Sequence, residues 1–172
     1  MKRIAKFEKV SYEQFKTDWK DTFDSAIHDI DDKEIKDIYY PIELPTRATS
    51  GSAGYDFHAP SSFVLEPGQT IKIPTGIRCY IEDGWVLQVY PRSGLGFKYR
   101  LQLDNTVGII DSDYYNSDNE GHIMLKMTNN GDKWIRISKG EKIAQGIFYE
   151  YGVTVDDNVD ATRNGGFGST GR

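Results

Sequence analysis

The chain has 172 residues, with 21 basic and 26 acidic side chains and a net charge of -5 at pH 7. That length fits one domain able to bury a core without disulfide staples, and the acidic balance argues against a broad electrostatic grip on nucleic acid, though not against a single nucleotide. The one cysteine, Cys79, allows no internal disulfide and fits a reducing compartment, and no apolar run approaches bilayer-spanning length.

Met1-Lys2-Arg3 leads into mixed charge rather than an apolar signal core, so the expected location is cytoplasmic, with no membrane partner. Ser11 followed by Gln14 is a capping-box pattern, and Phe15, Trp19, Phe23, Ile27 and Ile30 then recur at helical spacing. The pattern predicts one amphipathic helix over residues 12–30. The acidic run Asp29, Asp31, Asp32, Glu34 and Asp37, broken by Lys33 and Lys36, reads as a solvated connection rather than a metal site. From Tyr39 onward the period becomes alternating: Ile71 and Ile73, then Trp85, Leu87 and Val89, then Ile123, Leu125 and Met127, then Ile135 and Ile137. Pro67-Gly68, Thr75-Gly76, Asp83-Gly84, Asn130-Gly131 and Lys139-Gly140 mark turns between them. Cys79 lies in one such strand-like run, as a core thiol rather than a nucleophile.

Many short strands at nearly regular spacing mean an all-β body, as a sandwich, a jelly roll or a distorted barrel. Residues 142–151 read as a last strand, and the glycine-rich segment 152–172 carries too few apolar residues to pack alone. At up to about 3.3 Å per residue it forms a flexible arm able to reach a neighbouring subunit. The chain therefore divides into an N-terminal helical extension over 1–43, a β core over 44–151 and a C-terminal arm over 152–172.

Four segments carry chemistry. Arg92 offers a planar fork of donors for phosphate oxygens, Ser93 a hydroxyl, and Gly94 and Gly96 close backbone approach, although an ordinary strand-to-helix turn uses the same residues. The apolar run Val107-Gly108-Ile109-Ile110 leads straight into Asp111, which is placed either as a general base or as the capping residue of an Asp-Ser-Asp turn. Ala53-Gly54-Tyr55-Asp56 sets a carboxylate beside a glycine, with His58 following; His28 and His122 are remote in sequence, and no protein-bound zinc is expected. Near the end, Gly166, Gly168 and Gly171 have the spacing G-x-G-x-x-G without the helix of a dinucleotide fold. Phe167 offers a ring for a base, Ser169 and Thr170 hydroxyls for phosphates, and Arg163 a cation; a frayed tail is the plainer alternative.

In this order the segments resemble the five motifs of the trimeric dUTPase (deoxyuridine 5'-triphosphate nucleotidohydrolase) family: Ala53-Gly54-Tyr55-Asp56, Pro91-Arg92-Ser93-Gly94, the run from Asn105 to Tyr114, Gly140-Glu141-Lys142-Ile143-Ala144-Gln145, and Gly165-Gly166-Phe167-Gly168-Ser169-Thr170-Gly171. The resemblance spans about Leu44 to the end. It implies a jelly-roll-like distorted β-barrel of short strands, a β-clip, and hydrolysis of dUTP to dUMP and pyrophosphate with Mg2+ by a homotrimer with shared active sites. It further implies that Asp111 activates the attacking water and that Asp56 meets the hydration shell of a Mg2+ held by the triphosphate. Arg92, Ser93, Gly94 and Gln145 would line the phosphate path. Asn105, the backbone of Gly108, Ile109 and Ile110, and Met124 would read uracil, and Tyr114 would pack under the deoxyribose. Arg163, Phe167, Gly168, Ser169 and Thr170 would close over the nucleotide. The family's role is to keep uracil out of DNA and supply dUMP, so neither nucleic acid nor membrane is an expected partner.

Three features depart from that pattern. Residues 116–120 are inserted after Tyr114 and its neighbour, Arg163 precedes Phe167 by four positions instead of the usual five, and the first 45 residues have no counterpart in the minimal core. Two other functions share the fold: a dCTP deaminase, which ammonia release from dCTP would reveal, and a regulatory protein that senses dUTP without hydrolysing it. The tail and the Gly-Ile-Ile-Asp-Ser-Asp-Tyr run match the hydrolase.

Overall fold

The computed structural model describes residues 1–24, 29–161 and 163. The chain opens with a strand, β1 (Ala5–Lys9), followed by helices α1 (Tyr12–Phe23) and α2 (Asp32–Tyr39). Five strands follow, β2 (Thr46–Arg47), β3 (Tyr55–His58), β4 (Phe63–Leu65), β5 (Thr70–Pro74) and β6 (Ile77–Ile81), and then the seven-residue β7 (Trp85–Pro91). Helix α3 (Ser93–Tyr99) leads to β8 (Leu101–Leu103) and β9 (Gly108–Ile110), and a 3-10 turn over Ser112–Asn116 precedes β10 (Met124–Asn129), β11 (Ile135–Ile137) and β12 (Lys142–Glu150).

Among the described residues the strands form four small sheets: β2-β3-β12-β7-β9, β5-β10-β8, β1-β6 and β4-β11. Every pairing among these strands is antiparallel, as expected of a jelly-roll or barrel plan built from short strands. The alternation read from the sequence is the alternation of burial. Leu87 and Val89 on β7, Leu125 and Met127 on β10, and Ile135 and Ile137 on β11 point into one core with Phe57 and Ile143.

The N-terminal extension differs from expectation in three ways. Helix α1 ends at Phe23 with Asp24 as its cap, not at Ile30, and Ile27 and His28 lie outside the described residues. The acidic run is not simply a solvated connection: it folds into α2. Asp31 caps that helix by accepting from Glu34 N at 2.7 Å, Asp32 and Glu34 sit at the positive end of its dipole, and Lys33–Asp37 and Lys36–Asp32 are i,i+4 ion pairs. Ile35, fully buried, anchors it against Phe15, Trp19 and Val10. The third difference is β1, which pairs residue by residue with β6 and places Phe7 against Tyr55, Phe57 and Phe148. Its Lys-Phe-Glu-Lys alternation is the period-2 signal of a half-exposed strand.

Cys79 sits on β6 with 1% of its surface exposed, and burial pushes its thiol up to about 12. At pH 8 it is therefore neutral and shielded. A disulfide-exchange reagent at that pH is expected to leave the native protein unlabelled for hours and to titrate one thiol per chain after unfolding; rapid labelling of the native form would contradict this packing.

Candidate functional site

Strand β12 lies between β3 and β7, and its register brings three of the sequence motifs together. Gln145 stands opposite both Asp56 on β3 and Tyr90 on β7, one residue before Pro91. Asp56 is 2% exposed. A carboxylate so deeply buried requires compensation, and it has two cations: Arg92 Nη1 at 2.5 Å from Oδ1 and Lys142 Nζ at 2.7 Å from Oδ2. Both cations keep partly exposed side chains, so the cluster is a buried anion with a positive rim. Gly54 leaves room for the Gln145 amide: a Cβ at that position would lie 2.8 Å from Gln145 Oε1 and push that group aside. Gln145 in turn donates from Nε2 to the Pro91 carbonyl at 3.4 Å.

Arg92 also opens α3, whose first turn has no side-chain cap, with Ser93 and Gly94 exposed at its start. A cavity of about 630 Å³ lies beside it, lined by Tyr90, Arg92, Ser93, Phe97, Gln145 and Tyr149 among others. Its size suits a nucleotide.

Asp111 lies at the other side of the sheet. Strand β9 runs antiparallel to β7 with Gly108, Ile109 and Ile110 opposite Val89, Gln88 and Leu87, and the chain then leaves in extended conformation at Asp111. Its carboxylate, 43% exposed, accepts from Arg163 Nη2 at 2.6 Å, while Arg163 Nε lies 3.1 Å from Asp113 Oδ1. A second depression, of about 380 Å³, is lined by Val86, Gln88, Ile109, Asp111, Asp113 and Tyr151. Tyr114 is 5% exposed; burial raises its phenol above the usual range, its hydroxyl donates to the His122 carbonyl at 2.7 Å, and Asn119 Nδ2 donates to it at 2.8 Å. Asn105 stands in the exposed turn before β9, next to Thr106 at φ 67°. Met124 opens β10, which pairs with β5 and β8.

The two groups of residues do not meet. From Leu87, opposite Ile110, to Arg92 is five residues of chain, about 16 Å at 3.3 Å per residue, and Asp111 continues away from Arg92. The sequence motifs thus fall into two half-sites, one around Asp56, Arg92 and Gln145 and one around Asp111, Tyr114 and Arg163. Phe167, Gly168, Ser169 and Thr170 lie outside the described residues. Lys142 and Asp113 were not singled out from the sequence. Both stand inside recognised motifs, and the signal for them is charge: a buried carboxylate and an arginine each gain a second partner. Among the described residues no group of three His, Cys, Asp or Glu side chains is placed to hold a metal ion directly.

A mostly β chain of this topology, with phosphate-type donors at one end of its longest central pair and a half-exposed carboxylate beside the other, defines a β-clip protein with nucleotide-sized concavities. A family model described as dUTPase matches residues 40–171, and the chain belongs to that family. It is 46% identical over 133 residues to a deoxyuridine 5'-triphosphate nucleotidohydrolase of Lactococcus lactis, covering 76% of this chain and 89% of the relative. Among solved structures it is similar to a dUTPase from Streptococcus mutans, with TM-score 0.62 and 31% identity over 88% of this chain and 98% of the other. The fold is also that of a mutant dUTPase from phage phi11 of S. aureus, described for the coordination of a structural Mg(II) ion, with TM-score 0.58 and 22% identity over 73% of this chain and 94% of the other.

The Asp56 cluster makes a stability prediction. Arg92→Ala leaves the buried carboxylate facing Lys142 alone and is expected to cost about 1–3 kcal/mol in urea denaturation, at the low end because Arg92 is partly exposed. Asp56→Asn in the same chain should remove most of that cost. An equal loss in both backgrounds would show that the two side chains are not coupled.

Proposed function

We propose that the protein hydrolyses dUTP to dUMP and pyrophosphate as a homotrimer in which each active site takes its phosphate-binding residues and its catalytic carboxylate from different subunits. The observation that carries this reading is the separation of the half-sites along β7. A base acts on a water only within hydrogen-bond reach, and that water must stand about 3–3.5 Å from the phosphorus it attacks. Asp111 and Arg92 of one subunit are too far apart to serve the same α-phosphate, whereas those of two subunits are not so constrained. Membership of the dUTPase family and the identity to a named nucleotidohydrolase support the substrate.

In this mechanism the nucleotide's phosphates lie against Arg92, the Ser93 hydroxyl and the backbone at Gly94, with Gln145 beside them. Asp111 accepts a proton from water as its oxygen adds to the α-phosphorus. The bond from that phosphorus to the bridging oxygen breaks, and pyrophosphate leaves with the negative charge. Because such a transition state asks mainly for positioning and neutralised charge, one carboxylate among arginines and backbone donors suffices. Mg2+ supplies charge neutralisation on the phosphate oxygens when bound with the substrate. Both oxygens of Asp56 already hold cations, so that carboxylate fits the part of a hydrogen-bond acceptor for a metal-bound water rather than of a direct ligand.

Strand β9 is at the edge of its sheet, which leaves backbone groups of Gly108, Ile109 and Ile110 available to pair with a base edge. Fixed donors and acceptors of this kind reject cytosine, whose exchanged groups would be left unpaired. Asn105 and Met124 complete the uracil contacts in this reading, and Tyr114 packs beneath the sugar. Arg163 has a double role: without nucleotide its guanidinium occupies the Asp111 lone pairs that must take the proton, and a triphosphate, with more charge, draws it away as the arm closes with Phe167, Gly168, Ser169 and Thr170 over the substrate. A cytoplasmic location belongs to the same proposal and rests on the free buried thiol.

Asp111→Asn should lower turnover by about two to four orders of magnitude while leaving binding of a non-hydrolysable dUTP analogue nearly unchanged, as measured by pyrophosphate release and calorimetry. Near-normal turnover in that variant would move the base elsewhere, and ammonia release from dCTP without pyrophosphate from dUTP would refute the activity.

A further inference from the structure

Besides pairing with β6 and packing on the core through Phe7, the N-terminal extension makes a set of polar contacts to the segment that follows Asp111. Three contacts make up the set. From β1, Glu8 accepts from the Tyr115 hydroxyl at 2.5 Å, and Arg78, opposite Glu8 on β6, lies over the same ring, its guanidinium carbon 3.7 Å from the centroid. From the cap of α1, Ser11 donates both its backbone N–H, at 2.7 Å, and its hydroxyl, at 2.6 Å, to the two oxygens of Glu120. From the middle of α1, Asp18 meets His122 Nδ1 at 2.5 Å.

The last of these is the most telling. His122 is fully buried, and its Nε2 accepts from Gly76 N–H at 2.8 Å, so the proton must sit on Nδ1 and be donated to Asp18. Burial alone would raise the Asp18 carboxyl, but the hydrogen bonds from His122 and Gln14 bring it below its ordinary value. With both ring nitrogens engaged, the His122 backbone is held, and its carbonyl receives the Tyr114 hydroxyl. Gly121, at φ 68°, allows the chain to fold back so tightly that a Cβ there would lie 2.7 Å from the Tyr114 carbonyl. A helix that merely covered apolar surface would not need a polar pair with a fully buried histidine, which fixes one arrangement of the segment because breaking it leaves a buried polar group unpaired.

The origin of the parts points the same way. The family model begins at residue 40, so Glu8, Ser11 and Asp18 all precede it. Glu120, the partner of Ser11, and Asn119, the partner of the Tyr114 hydroxyl, belong to the five residues 116–120 that depart from the motif pattern. The two departures therefore meet each other, with Tyr114 at the junction.

We propose that the extension acts as a clasp that positions Tyr114, with Asp18 and Glu120 as positioning residues that sharpen selection of deoxyribose over ribose in the site. This rests on the reading that Tyr114 packs under the sugar. Sugar choice then depends on how closely the ring is held, because a 2′-hydroxyl is excluded by lack of room rather than by a missing hydrogen bond.

The test compares kcat/KM for dUTP and UTP in Asp18→Ala, Asp18→Asn, Glu120→Ala and Tyr114→Ala, together with amide hydrogen exchange over residues 111–122. Asp18→Ala and Glu120→Ala should each reduce the dUTP/UTP ratio about tenfold, chiefly through KM, and speed exchange in that segment while leaving β3 and β12 unchanged. Asp18→Asn, which still accepts from Nδ1–H, should keep the ratio within about twofold of the parent. A ratio is independent of how much protein is folded, so a purely structural role would leave it fixed; an unchanged ratio with unchanged exchange overturns the clasp. Glu120→Ala, at the partly exposed end, carries the test if Asp18→Ala does not fold. If Tyr114→Ala leaves the ratio flat, the sugar role of Tyr114 falls and sugar selection by the clasp falls with it; the exchange measurement then decides whether the extension holds the segment at all.

Discussion

Strand β7 sets the terms for the rest of the molecule. It is paired on both sides, with β12 along its length and β9 at its three central residues, and a paired strand cannot shorten. The donors that follow Pro91 and the carboxylate that follows Ile110 are therefore kept apart by a fixed rise per residue. The proposed mechanism is arranged around that separation. Each half-site has its own concavity, each has its own buried or half-buried acid with a cation upon it, and neither half has the full set of groups that phosphoryl transfer requires.

The acids are held in different ways, and the differences follow from burial. Asp56, enclosed in the sheet, has two fixed cations and serves to set Arg92 and Lys142 in place. Asp111, nearly half exposed, has a partner on the arm, where a competing anion can exchange it. Asp18 has a neutral histidine and belongs to the framework that supports Tyr114. A buried pair is costly to break and so rigid, whereas an exposed one is weak and so replaceable. The residue expected to react is the one whose partner is easiest to remove.

Much of this was legible in the sequence, for identifiable reasons. The β core announced itself because its strands bury one face, giving the alternation of Leu87 with Val89 and of Leu125 with Met127, and because turns such as Asp83-Gly84 need residues that tolerate positive φ. Asp56, Arg92, Asp111 and Gln145 were legible as motifs, but their division into two half-sites was not, since strand order is a long-range property that no local pattern encodes. The extension was misread where charge outweighed periodicity. Asp29 to Asp37 looked solvated because five acids stood close together, yet Ile35 and Ile38 gave the segment an apolar face and Asp31 gave it a cap. The Asp18–His122 pair had no sequence signal at all: its members are 104 positions apart, and a lone histidine in a strand-flanking position is ordinarily silent.

The claim that one site needs two subunits is tested most directly by mixing. Arg92→Ala and Asp111→Asn chains, each close to inactive alone, are combined in equal amounts under conditions that allow subunit exchange, and pyrophosphate release from dUTP is followed. If the half-sites come from different subunits, random assembly leaves about a quarter of the sites with both residues intact, and activity should rise towards about a quarter of the parent's. A mixture no more active than its two components would place both residues in the same subunit's site and contradict the account.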